Sequence, residues 1–171
     1  MAMTPQQRSA IGGLALSALA AAGIYNREGF TSTAVIPVPG DVPTIGHGTT
    51  VYPDGSRVKL GDTITRQRAD EIASKQIKDV YEAGIKRCAS DVPMYQWEYD
   101  AVVDLSYNVG VGAVCRSSII PKFRSGDYSG GCTAIKSFKY FQGKDCTIKA
   151  NKCGGIPKDR ERVYQMCMGV S

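Results

Sequence analysis

Eighteen uncharged residues separate Arg8 from Arg27, and such a stretch belongs either in a core or in a bilayer. Six are Ala, three are Gly and two are Ser; the large aliphatics are Ile11, Leu14, Leu16, Leu19 and Ile24. As a helix rising about 1.5 Å per residue, the stretch just spans a hydrocarbon core. Ala and Gly keep its hydrophobicity low. Two readings stand. Residues 9–26 form the buried Ala-rich first helix of a soluble domain, or they form a marginal membrane segment that inserts and then leaves. In the second case Arg8 stays on the cytoplasmic side. A cleaved signal peptide fits less well. Its apolar stretch is usually shorter, and cleavage here would cut into the helix that leads to Glu28.

Glu28-Gly29 follows at once, and Thr44-Ile45-Gly46-His47-Gly48-Thr49-Thr50 begins sixteen residues beyond Glu28. A carboxyl group between a helix and a sheet lobe is expected to be part buried, which raises its pKa and suits it to donate a proton near neutral pH. Residues 29–62 read as a small β lobe. Val35, Ile36 and Val38 are a β-branched run interrupted by Pro37 and Pro39, and Gly40-Asp41 and Pro53-Asp54-Gly55 are turns. Residues 63–171 read as a helical lobe. Thr65 caps a helix running to about Arg87, long enough to join two lobes, with Ala69, Ile72, Ala73, Ile77, Val80 and Tyr81 on its apolar side. A second helix covers Tyr95 to Val109 and stops at Gly110. Shorter ones follow near 117–125 and 127–139, and a last one starts with Pro157 and ends before Gly169. The order of helix, small sheet and several helices is an α+β pattern, and the length suits one domain over 1–171.

Six cysteines, at 88, 115, 132, 146, 153 and 167, form no Cys-x-x-Cys pair, and His47 is the only histidine. A zinc site is therefore not expected, and no cofactor is implied. An even count in a short chain points to disulfides and an oxidising compartment; six buried thiols in a cytosolic protein are the alternative. Fifteen pairings are open. The net charge of +5, from 21 Lys and Arg against 16 Asp and Glu, suits an anionic polymer. The basic residues are scattered rather than clustered with aromatics, so nucleic acid is not expected as a partner.

Several stretches together are similar to a known family. These are Glu28-Gly29, Thr44-Ile45-Gly46-His47-Gly48, Gln96-Trp97-Glu98-Tyr99-Asp100 through Tyr107-Asn108-Val109-Gly110, Gly112 to Ser118, Gly126-Asp127-Tyr128, and Gly154-Gly155-Ile156-Pro157-Lys158-Asp159-Arg160-Glu161-Arg162. The chain resembles the phage lysozymes of the T-even and lambdoid type, the glycoside hydrolase family 24 endolysins. The resemblance implies a lysozyme-like fold. It also implies hydrolysis of the β-1,4 bond between N-acetylmuramic acid and N-acetylglucosamine in peptidoglycan, with inversion, by a monomer that lyses the host wall. A lytic transglycosylase on the same substrate and a non-catalytic wall-binding or membrane-disrupting protein are the alternatives.

The family pattern is Glu, eight residues, Asp, five residues, Thr. Glu28 and Thr44 match it with one residue inserted, so Glu28 is the expected general acid and Thr44 the residue that orients water. The Asp is missing: the matching positions hold Pro37 and Val38, and the nearest acid is Asp41. Asp41 either takes over the role or caps its own turn. His47 and Asn108 are the expected substrate-binding residues, although His47 could instead pack beside the cleft and Asn108 could equally hold helix-end groups. Trp97 and Tyr107 read as core. Some relatives carry a Gly- and Ala-rich signal-anchor-release segment just before the catalytic Glu, and residues 9–26 resemble it. That resemblance implies transient inner-membrane association and export to the periplasm. No cysteine precedes Cys88, so activation by disulfide exchange within the anchor is not open to this chain.

Overall fold

A computed structural model describes residues 7–170; the outermost parts of the expected 1–171 domain, residues 1–6 and Ser171, lie outside the described residues. Its elements in chain order are β1 (Ser9–Ala10), α1 (Ala18–Glu28), β2 (Thr31–Val35), β3 (Thr44–Gly46), α2 (Arg66–Gln76), α3 (Ala83–Cys88), β4 (Pro93–Met94), α4 (Gln96–Val109), α5 (Val111–Arg116), α6 (Ile119–Arg124), α7 (Tyr128–Ala134), β5 (Tyr140–Phe141), β6 (Lys144–Asp145) and α8 (Gly155–Cys167). Short antiparallel strand pairs among helices make the α+β class expected from the sequence. The chain divides into two compact units, Ala18–Asp79 and the remainder.

In the smaller unit, β2 and β3 pair antiparallel, with Thr31 opposite Gly46 and Val35 opposite Thr44, and an irregularity lies between these pairs. Isolated bridges join Thr33 to Thr63, Ile45 to Thr49 and Val51 to Arg57. Ala34, Ile45 and Val58 are buried together, with Tyr52 and Ile64 packed against them. α2 begins where expected: the Thr65 hydroxyl accepts from the Arg68 N–H at 3.2 Å. Gly46 has φ +65°, and a Cβ there would lie 2.8 Å from the Ala69 Cβ, so only glycine lets β3 pass this close to α2. The helix expected from Thr65 to Arg87 is not one regular helix. A π turn, Ile77–Glu82, separates α2 from α3.

The larger unit corrects the expectation of a helix over residues 9–26. Only α1 is helical; before it lie β1, paired with β4, a 3-10 turn at Ile11–Gly13 and an extended strap to Ser17. The physical reason is competition for backbone groups. Four polar side chains take the groups that a helix would use. The Leu14 carbonyl accepts from Lys86 Nζ at 2.5 Å and the Ala15 carbonyl from Gln96 Nε2 at 2.8 Å. The Leu16 N–H donates to Glu82 Oε1 at 2.7 Å and the Ser17 N–H to Asp100 Oδ1 at 3.0 Å. Arg8 secures the start of the strap. Its Nη2 is 2.7 Å from Glu98 Oε1, and its guanidinium lies 3.4 Å from the Tyr128 ring centre and 4.3 Å from that of Tyr95. Hydrogen bonding to Glu98 holds the Arg8 guanidinium above its ordinary pKa. Ile11 is fully buried and anchors the strap, whereas Gly12, Gly13 and Ala15 are exposed, so the strap lies on the surface and contributes one side chain to the core.

α4 is the centre of the larger unit and packs chiefly on α8. Its start is fixed by the Tyr95 N–H donating to Glu98 Oε2 at 2.9 Å, and it ends at Gly110 as expected. Trp97 is half-buried and stacks on Tyr95, and Tyr107 packs on Tyr81. All six cysteines are paired, as Cys88–Cys115, Cys132–Cys167 and Cys146–Cys153.

Candidate functional site

Glu28 is the last residue of α1, and Gly29, at φ +74°, turns the chain out of the helix into β2. Antiparallel pairing then fixes Thr44: it lies two residues from Gly46, whose partner Thr31 is three residues beyond Glu28. The end of α1 thus carries Glu28, and the hairpin that follows carries Thr44. Thr44 is half-buried. Glu28 is exposed, whereas partial burial was expected for it; it occupies the outer end of α1, where the helix stops.

Asp41 lies in the exposed loop between β2 and β3. Its N–H donates to the Val38 carbonyl at 3.0 Å, and its Oδ1 accepts from the Val42 N–H at 2.8 Å. It therefore caps its own turn with one oxygen, as a short acidic side chain in a turn does.

His47 was expected to line the cleft or to pack beside it, and the structure shows packing. It is 4% exposed, and both ring nitrogens are occupied. Nδ1 donates to the Gly29 carbonyl at 2.5 Å and Nε2 faces Asp70 Oδ1 at 2.7 Å. Tyr25 stacks on the ring at 5.1 Å between centres, and Phe30 tilts against it at 5.8 Å. His47 ties the residue after Glu28 to α2; it positions the loop and offers no open nitrogen to a ligand. Burial pushes the Tyr25 phenol up, against a hydrogen bond with Ser74 that pulls it down. Neither Tyr25 nor Asp70 belongs to a sequence motif. Only the folded chain brings them to the histidine.

Asn108 lies in the other unit, near the end of α4, and is exposed. Its Oδ1 accepts from Arg160 Nη2 at 2.8 Å, a link from α4 to α8. Arg160 is nearly buried; its Nε also donates to the Phe138 carbonyl at 3.0 Å and its Nη1 to Asp159 Oδ2 at 2.6 Å. Burial pulls the Arg160 pKa down, and Asp159 offsets part of this. Arg162 meets buried Asp104 at 3.0 Å and Asp159 at 2.8 Å. The Asp159-Arg160-Glu161-Arg162 stretch thus supplies a partly buried ion-pair cluster that Arg160 links to Asn108. No group of three metal-binding side chains occurs among the described residues.

The phage lysozyme family model matches residues 25–153, a span that contains Glu28, Thr44 and Asn108. The SAR-endolysin of Enterobacteria phage P21 is 27% identical, with 97% of this chain and 98% of that protein covered. The endolysin of Salmonella phage P22 is 33% identical over 107 residues, 63% of this chain and 71% of its own. A match to the endolysin of Acyrthosiphon pisum secondary endosymbiont phage 1, at 32% identity, covers 55% of that protein. Among solved structures, the endolysin from Escherichia coli O157:H7 phage FAHEc1 superposes with a TM-score of 0.76 at 27% identity, covering 91% of this chain and 94% of that one. The chain belongs to the phage lysozyme family. It is a glycoside hydrolase, a muramidase of host lysis whose substrate is peptidoglycan.

Proposed function

We propose that Glu28 is the general acid that protonates the glycosidic oxygen, that Thr44 orients the attacking water, and that Asp41 shares in that step. The observation that carries this reading is the placement of Glu28 at the end of α1 with Thr44 on the hairpin that follows, inside the span matched by the family. Glu28 is exposed at the helix end, a position that a glycan could approach. An amide at position 28 keeps the shape but cannot donate the proton. Glu28→Gln should therefore lower the rate of peptidoglycan cleavage by about a hundredfold or more. Mass spectrometry of the digest identifies the reaction. Reducing ends are expected of a hydrolase, and 1,6-anhydro ends would replace this reading by a transglycosylase that needs no water. Near-normal turnover by Glu28→Gln would remove Glu28 from the mechanism.

The protein is further proposed to work as a single chain and to pass through the inner membrane by way of residues 9–26. Support comes from the uncharged span and from the likeness to SAR-endolysins along nearly the whole chain. Among the described residues no helix is long and apolar enough to cross a membrane, so the strap and α1 would represent the segment after release. Cell fractionation tests this. Full-length protein should appear first with the inner membrane and later in the soluble periplasm without cleavage. Protein confined to the cytoplasm until a separate lesion opens the membrane would make the segment simply part of a soluble lysozyme.

A further inference from the structure

Tyr140 and Phe141, the two residues of β5, are 60% and 52% exposed. Adjacent aromatic rings left in water on a rigid element mark a binding surface more often than a packing fault. The element is braced at its turn and at its base. Gln142 and Gly143 have φ of +49° and +76°, the left-handed pair that makes a tight hairpin turn. At its base Lys139 pairs with Asp145 at 2.7 Å, the Cys146 N–H donates to the Lys139 carbonyl at 2.9 Å, and Cys146–Cys153 joins β6 to the approach to α8. The same two rings line a cavity of about 520 Å³, together with Asn108, Phe138, Ile156 and Arg160. Two of its polar groups, Asn108 and Arg160, are held in place by their mutual hydrogen bond and by Asp159, and Ser137 is a third. Mostly apolar walls, a few fixed polar groups and a volume of several hundred Å³ are the usual make-up of a small-ligand site.

We propose that the β5–β6 hairpin and this cavity hold a sugar residue of the glycan strand, an N-acetylated hexosamine whose C–H face lies on Tyr140 and Phe141 while Asn108 hydrogen-bonds its acetamido group. The proposal rests on peptidoglycan being the substrate and adds the surface that holds it. Rings that are already exposed and already ordered bind at little conformational cost, which is the advantage of preorganisation. Arg160 acts through Asn108: with Oδ1 engaged by the guanidinium, the Asn108 amide is turned in a fixed direction.

The test uses the full chain carrying Glu28→Gln, with purified peptidoglycan sacculi as the ligand. Adding Tyr140→Ala and Phe141→Ala should weaken sacculus binding about tenfold or more, the loss expected for aromatic anchors. Because both rings are exposed, the melting temperature should not move. In the otherwise native enzyme the same pair should raise KM rather than lower kcat, and Phe141→Trp should retain binding. Unchanged sacculus affinity and KM would overturn the proposal. So would a loss confined to vesicles of anionic lipid, which Lys144, Lys149 and exposed Ile148 would suit. If the native chain neither binds sacculi nor releases fragments, the substrate reading itself has failed, a result distinct from native binding that ignores the hairpin.

Discussion

Truncating Glu82 to Ala should loosen the N-terminal strap within the larger unit. Glu82 is 7% exposed, and its Oε1 accepts from two donors: the Tyr99 hydroxyl at 2.8 Å and the Leu16 N–H at 2.7 Å. Tyr99 is fully buried, and burial together with Glu82 pushes its phenol well above the ordinary value, so it stays a neutral donor to Glu82. Each hydrogen bond to a charged partner contributes about 1.5–3 kcal/mol, and a buried hydroxyl left without an acceptor costs about 1–3 kcal/mol. Removing a buried carboxylate returns part of this, because the folded protein no longer desolvates the charge. The net loss expected is about 3 kcal/mol, or roughly 6–12 °C in Tm for a chain of this size. Glu82→Gln keeps an oxygen acceptor and should lose about half as much. Thermal unfolding gives the stability. Amide hydrogen exchange at Leu16 and Ser17 gives the location, and these amides should lose protection before the α4 amides do. A change under about 0.5 kcal/mol, with exchange at Leu16 unaltered, would refute the claim that Glu82 grips the strap.

Asp41→Asn separates catalysis from turn capping: activity should fall steeply with a Tm change of less than about 1 kcal/mol equivalent if Asp41 helps activate water, whereas retained lysis would leave Thr44 to orient it alone. The Asp145 carboxyl is held down to about 2 by hydrogen bonds from Lys139 and then from Thr147. A depressed folded value means that the hairpin base keeps this contribution at all pH above the ordinary Asp range and loses it as pH falls toward about 2; a carboxyl NMR titration with an ordinary Asp midpoint would contradict the pairing. Replacing Cys132 and Cys167 by Ala should cost about 4 kcal/mol, since the bridge spans 35 residues and joins α7 to α8; an unchanged denaturant midpoint would show that this loop does not constrain the unfolded chain.

What the sequence determined by itself is what local chemistry can write. Thr65 caps α2, because a hydroxyl three residues before a free N–H needs no distant partner. α4 ends at Gly110, because its apolar periodicity meets a glycine there. Glu28 and Thr44 are legible as a spaced pair, and an even number of cysteines foretold disulfides. The tertiary structure decided everything that depends on residues far apart in the chain. Residues 9–17 read as helix until side chains 66 to 90 positions away take their polar groups or pair with Arg8 beside them. Fifteen cysteine pairings became three bridges because only folding brings particular thiols together. His47 looked like a ligand-facing residue until Gly29 and Asp70 closed over both nitrogens. The β5–β6 hairpin escaped notice because two-residue strands carry almost no periodicity; its turn and its basal ion pair are stabilised by partners that only the folded chain supplies.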